Sequence, residues 1–253
     1  MEISIGCKME INKNIFQIYI QDDDNNGIPL KISSCVETII NRKDDYYHYL
    51  LNSDGLRELI SQHLGKEVIT AYDKLRPYTY KSDLGRHCLL YIFGGWYFDA
   101  SVRLNMNLKK IPMSKLIVFK DAPNPGLPSW DLSTSVIFGE KNDKLFEMMI
   151  KEIVINTKNN FYGTSPLSPT GPTLFGRCLA SLGENENTKT GLLTPLTPLH
   201  PNKNYAFVLP DGEIFAWGKS SWGTQIGDGL DAFDTKGTNS YNRMYYDRNI
   251  YNT

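Results

Sequence analysis

Hydrophobic positions along the chain follow two rhythms. Short apolar runs at residues 15–20 (I-F-Q-I-Y-I), 46–51, 116–119 and 135–138 have the length and the aromatic or β-branched content of buried strands. Between them, apolar residues recur at helical spacing. Residues 29–41 place Ile32, Val36, Ile39 and Ile40 on one inward face. Ser53 or Asp54 can cap a helix that runs to Leu64 and closes at Gly65, and residues 66–75 predict another helix stopped by Pro77. Strand, helix, strand, helix is the alternation of a nucleotide-binding α/β half. Further on, residues 143–156 predict an amphipathic helix with Leu145, Met148, Met149 and Ile153 inward. Residues 205–209 and 213–217 flank Pro210-Asp211-Gly212 as a hairpin.

The densest pattern is Y-K-S-D-L-G-R-H-C-L-L-Y-I-F-G-G-W-Y-F-D-A-S-V, residues 80–102. Thr79 can act as N-cap, and Leu84, Cys88 and Tyr91 recur along one helix face. Gly94-Gly95 stops the helix, because glycine takes a positive φ without strain. Trp96, Tyr97 and Phe98 then form a short strand that delivers Asp99. Ligands of open α/β folds lie beyond the carboxyl ends of strands, which makes Asp99 a candidate contact. Asp83 and Arg86 lie three apart, on one face. Two readings follow: an ordinary surface ion pair beside a turn residue, or a ligand-binding trio.

Composition excludes more than it selects. The 253 residues carry a formal net charge of -1, which gives no electrostatic reason to expect nucleic acid. Fifteen Tyr and eleven Phe suit a core and also sugar-binding walls. Cys7, Cys35, Cys88 and Cys178 lie far apart with no C-x-x-C, so zinc is not expected despite the adjacent His87-Cys88. Cys35 and Cys88 read as small core residues. The acidic run at residues 22–27 lacks the spacing of a calcium loop. No signal-like run or membrane-length span occurs, which makes a cytoplasmic setting the default while leaving peripheral membrane contact open. The proline-rich stretch D-A-P-N-P-G-L-P-S-W reads as a loop, whose Trp130 suits an acceptor wall or a simple connector. Thr170-Gly171-Pro172 opens a helix running to Leu182, and its free N–H groups favour partial negative charge. The Asn-, Tyr- and Gly-rich final segment reads as a flap or a covering tail.

The order S-D-x-x-R, then G-G-x-Y-x-D-x-S, resembles the signature of glycosyltransferases carrying the DXD sugar-binding motif. Within them it is closest to family thirty-two and the bacterial capsular-polysaccharide-synthesis proteins. The resemblance spans about residues 11–222 and implies an α/β fold of the GT-A nucleotide-sugar transferase type, a mixed central sheet flanked by helices. It also implies a single domain over residues 1–253, with a nucleotide-sugar-binding half (11–102) and an acceptor-side half with a C-terminal flap (103–253). The implied activity is retaining, metal-assisted transfer of a hexose from a UDP- or GDP-sugar to a glycan, lipid-linked or other hydroxyl acceptor, in polysaccharide biosynthesis.

The same resemblance assigns residues. Gln17 and Tyr19 would sit beside the nucleotide base, and Lys81, Asp83, Arg86 and Asp99 would contact the donor. Arg86 would add a fixed positive charge, and Asp83 would accept from sugar hydroxyls. Thr170 would offer a hydroxyl near donor or acceptor, since the family carries T-G-P at this place in the order. Related sugar transferases end with a serine that helps hold the metal and a tryptophan that lines the donor site, which points to Ser220 or Ser221 and to Trp222. Manganese or magnesium would be held by Asp99 with Ser101. Here the chain departs from the pattern: Asp99-Ala100-Ser101 replaces D-x-D, and serine is a neutral, weaker ligand. A non-catalytic carbohydrate- or nucleotide-sugar-binding module with a degenerate motif is the alternative. A kinase- or dehydrogenase-like nucleotide binder is disfavoured by the absence of G-x-x-x-x-G-K-[ST] and G-x-G-x-x-G.

Overall fold

The computed structural model describes residues 12–22, 27–111, 114–122, 126–183, 186–195, 205–218 and 239–253. The elements come in the order β1 (Asn14–Ile18), α1 (Leu30–Ile40), β2 (Tyr47–Leu51), α2 (Ser53–His63), α3 (Lys66–Lys74), α4 (Tyr78–Phe93), β3 (Gly95–Phe98) and β4 (Arg103–Leu104). Then follow β5 (Leu116–Lys120), β6 (Leu132–Gly139), α5 (Lys144–Lys158), α6 (Pro172–Leu182), β7 (Thr188–Pro195), β8 (Tyr205–Val208), β9 (Ile214–Trp217) and α7 (Tyr241–Tyr246). Among the described residues the sheet runs β2-β1-β3-β6-β5-β7-β8-β9-β4. It is mixed. β1 is parallel to both β2 and β3, β6 is antiparallel to β3 and to β5, and β7 returns parallel to β5.

The period of two along the central strands divides the core into two layers. Phe16, Ile18, Tyr97, Val118 and Ile137 face one way, into a layer that includes residues of α2 to α6. Ile15, Trp96, Phe98, Ile117, Phe119, Val136 and Phe138 face the other way, towards Val102, Leu104 and the hairpin residues Phe207 and Phe215. α1 lies on this second side, where Ile32 and Val36 pack with Tyr19 and Ala100.

α4 is the central helix, buried without interruption from Asp83 to Leu90 between the sheet and its neighbouring helices. Its stop is fixed sterically. Gly94 has φ 64° and Gly95 φ 111°, and a Cβ on Gly95 would stand 2.2 Å from the Asn14 carbonyl oxygen. Only glycine allows β3 to leave the helix this close to β1.

Several sequence expectations move. α4 begins one residue before Thr79, with Pro77 at its N-cap. The cap of α2 is Asn52, whose side chain accepts from the Gly55 N–H, rather than Ser53 or Asp54. Ile40, expected inward, is exposed at the last position of α1. The end of the chain covers the core: Ile250 and Tyr251 are buried, and Leu75 bridges to Tyr251. Cys35, Cys88 and Cys178 are all buried free thiols. Cys7, most of the acidic run (23–26) and residues 219–238, which include Ser220, Ser221 and Trp222, lie outside the described residues. No helix among the described residues is long and apolar enough to cross a membrane.

Candidate functional site

The carboxyl ends of β1 and β3 open onto one edge of the sheet. Asp99 follows β3 directly, and its N–H donates to the Ser135 carbonyl while its own carbonyl closes a turn onto the Val102 N–H. Two residues back, Tyr97 points to the same face, and its hydroxyl donates to Asp99 Oδ1 at 2.8 Å. Arg86 reaches this carboxylate from α4, with Nη1 3.2 Å from Oδ1, and its guanidinium stacks 4.6 Å from the centre of the Tyr97 ring. Its other terminal nitrogen lies 3.2 Å from Asp83 Oδ1. Nη1 also donates to the Thr134 carbonyl, and Nε to the Ser82 carbonyl at 3.1 Å. One guanidinium therefore joins two carboxylates, a helix and strand β6.

The two carboxylates differ in environment. The Asp83 side chain is 3% exposed and that of Asp99 31%. Asp83 Oδ2 accepts from Thr170 Oγ1 at 2.7 Å, and Thr170 is itself fully buried at the entry to α6. Burial pushes the Asp83 carboxyl up to about 6, against the pull of Arg86 and Thr170 and with a further push from Asp99. Burial disfavours the charge on Arg86, yet Tyr97, Asp99 and Asp83 together hold it above its ordinary value. Burial, foremost, drives the Tyr97 phenol well above its usual range. Of the two readings, the surface ion pair is not what forms: the Asp83–Arg86 pair lies in the core, and the partly exposed end of the cluster is Asp99.

The remaining expected residues sit elsewhere. Gln17 is fully buried on the α1 face, where its amide donates to the Asp99 carbonyl at 3.3 Å and its oxygen meets His48 Nε2 at 2.8 Å. Tyr19 is 5% exposed against Ile32, Val36 and Ala100, and its hydroxyl has no partner among the described residues. Neither side chain is open to a base in this arrangement. Lys81 turns towards α3, donating to the Tyr72 carbonyl at 2.7 Å over the Tyr72 ring, away from the Asp99 cluster. Ser101 is 8% exposed in the turn after Asp99.

Residues 6–161 match the family model described as capsular polysaccharide synthesis protein. The chain belongs to that family. Among solved structures, PaToxG glycosyltransferase superposes with a TM-score of 0.53 at 19% identity, covering 68% of this chain and 70% of that one. This likeness shows the fold: a mixed α/β architecture of the glycosyltransferase type, consistent with GT-A. The glycosyltransferase GlyE of Streptococcus pneumoniae TIGR4 matches with a TM-score of 0.42 at 12% identity, over 72% of this chain and 45% of that one. No curated protein matches the chain. Family and fold together make it a glycosyltransferase-type protein.

In this member of the family, two participants in the Asp99 cluster, and one further buried acid, escaped the sequence reading. Tyr97 was legible as a strand residue, and its spacing of two from Asp99 was the available signal that both share a face. Thr134 takes part through its backbone carbonyl, which no side-chain pattern reveals. Asp131 sits at the start of β6, its Oδ2 accepting from Thr173 Oγ1 at 3.0 Å, and it lay hidden at the end of the proline-rich loop.

A divalent cation needs oxygen ligands, and among the described residues no three acidic, histidine or cysteine side chains gather to hold one. A cation bound at this edge would have Asp99 as its described carboxylate ligand. Asp99 Oδ2 makes no hydrogen bond to a described residue, while Oδ1 is fixed by Tyr97 and Arg86. The Ser101 hydroxyl lies two residues on.

Proposed function

We propose that this protein is a retaining hexosyltransferase that moves a hexose from a UDP- or GDP-sugar to a glycan, lipid-linked or other hydroxyl acceptor, assisted by manganese or magnesium. The observation that carries the reading is the oriented, partly exposed Asp99 carboxylate at the β3 terminus, clamped through Arg86 to a buried Asp83. Asp99, with Ser101 and with Ser220 or Ser221, would hold the cation beside the donor diphosphate. When bound, that cation neutralises charge developing on the leaving nucleoside diphosphate. The protein's own share is electrostatic and positional. Arg86 contributes a fixed positive charge near an oxocarbenium-like transition state, and Tyr97 holds the Asp99 carboxylate in one rotamer. Asp83 and Thr170 keep Arg86 in place from below. Trp222 is the remaining donor-side candidate.

With a single described carboxylate as ligand, metal affinity is micromolar or weaker for the protein alone and rises with nucleoside diphosphate. Calorimetric titration of manganese with and without the nucleotide reads this directly, and tight binding to the bare protein refutes it. A thermal-shift screen of UDP- and GDP-sugars with manganese identifies the donor. Asp99→Ala abolishes transfer with the fold intact, and so does Asp83→Ala; full activity in either variant contradicts the assignment. The neutral Ser101 favours one competing reading, a sugar-binding module without turnover. Hydrolysis of a nucleotide sugar by the pure protein rules that out.

A further inference from the structure

The edge that presents Asp99 has a second wall. β6 pairs with β3 only from Val136, opposite Phe98, so residues 132–135 overhang the end of β3. Asp131 precedes this overhang, about 13 Å along the strand from Ser135, whose carbonyl holds the Asp99 N–H. Asp131 is 5% exposed. Its Oδ2 accepts from Thr173 in the first turn of α6, and its Oδ1 has no partner among the described residues. A nearly buried carboxylate oxygen without a donor costs stability, and such an oxygen is tolerated where a ligand supplies the donor. Burial, with Asp121 nearby at the end of β5, raises this carboxyl to about 6.

The neighbouring residue supplies the other half of a sugar site. Trp130 is half-exposed, yet its backbone is closely packed: a Cβ on Gly176 of α6 would stand 1.9 Å from the Trp130 carbonyl oxygen, so the two segments are in close contact. An indole face on a closely packed backbone, next in sequence to a carboxylate with one oxygen lacking a donor, has the chemistry that recognises a pyranose, with stacking against C–H groups and a hydrogen bond from a hydroxyl.

We infer that Asp131 and Trp130 form the acceptor subsite, Asp131 Oδ1 accepting a hydrogen bond from a hydroxyl of a saccharide acceptor stacked on the Trp130 indole. The inference rests on the transferase reading and names its acceptor class as a sugar. The test uses the full chain with manganese and the donor found by thermal shift, and α- and β-methyl hexosides as acceptor probes. Release of nucleoside diphosphate is followed against the concentration of each substrate. Asp131→Asn keeps the bond from Thr173 and raises the acceptor KM about ten- to a hundredfold, as expected for a hydrogen bond to a charged group. Trp130→Ala, at a half-exposed position, raises the same constant. An acceptor KM equal to wild type in both variants overturns the subsite, as does a rise confined to the donor KM. Wild-type turnover that no methyl hexoside stimulates overturns it too. No release from any donor refutes the transferase reading, and this subsite with it.

Discussion

Arg86→Met is the sharpest probe of the central cluster, because its effect on stability has a predictable dependence on pH. The side chain is 3% exposed and serves Asp83, Asp99 and the Thr134 and Ser82 carbonyls at once. Methionine keeps an unbranched apolar stem but reaches only to the position of Nε, so it loses the guanidinium stacked on the Tyr97 ring and donates nothing. Near pH 6 and below, the loss is that of the hydrogen bonds to buried carbonyls, about 2–4 kcal/mol. Above pH 6 a second loss begins. Wild-type Asp83 titrates at about 6, above its unfolded value, so the wild type stops losing stability from this group once the pH passes 6. Without the guanidinium, the carboxyl stays protonated to a higher pH, and the folded variant goes on losing stability as the pH rises. The gap between the two proteins therefore widens by about 1.4 kcal/mol per pH unit, or about 2.7 kcal/mol between pH 6 and 8. Against a typical total of about 5–15 kcal/mol, that is measurable by urea unfolding at pH 5, 6, 7 and 8. Adding Asp83→Asn to the variant removes the widening. A gap identical at pH 5 and pH 8 would show that Arg86 does not hold Asp83 ionised, and the account of the cluster would fail.

Three further outcomes are expected. His87 is fully buried between Phe146 and Phe175, and neither ring nitrogen has a partner among the described residues. Burial and then Arg86 hold its pKa well below 6.5, so its share of stability is present above about pH 6.5 and is lost as the pH falls. His87→Leu flattens that acid limb in urea titrations at pH 7 and 5; an unchanged slope refutes the assignment. Gly176→Ala drives a methyl group into the Trp130 backbone and costs about 1–3 kcal/mol, lowering Tm by several degrees, and an unchanged melting curve contradicts the contact. Tyr97→Phe removes one of the two groups fixing Asp99 Oδ1 and lowers kcat about 10- to 100-fold with Tm nearly unaltered. Wild-type kcat would mean that Arg86 alone orients the carboxylate.

How far the sequence foretold this arrangement depends on the range of the interactions involved. Periodicity is local, and it located the helices and central strands to within a few residues. The glycine stop was legible too, because Gly94-Gly95 can be read from backbone sterics alone. Strand β7 (T-K-T-G-L-L-T-P) and the two-residue β4 carry no alternation and are made by their neighbours, so no local pattern marks them. The order of strands, and the reversal of β6 between β3 and β5, belong to the packing. The same limit governs the site. Spacing of three put Asp83 and Arg86 on one face and offered a choice between solvated ion pair and ligand contact. The structure takes neither for Asp83. Thr170, 87 residues away, covers it, and the turn from α4 into β3 delivers Asp99 as the member that meets solvent. An acidic residue on a helix can reach a substrate directly, or it can fix the arginine that does, and only the long-range contacts decide between them. In this fold Asp83 touches Arg86 and Thr170 and is closed to solvent, which makes it a residue that would act through Arg86. Its loss should therefore be felt first as a displaced guanidinium, and in the loss of transfer only as a consequence of that displacement.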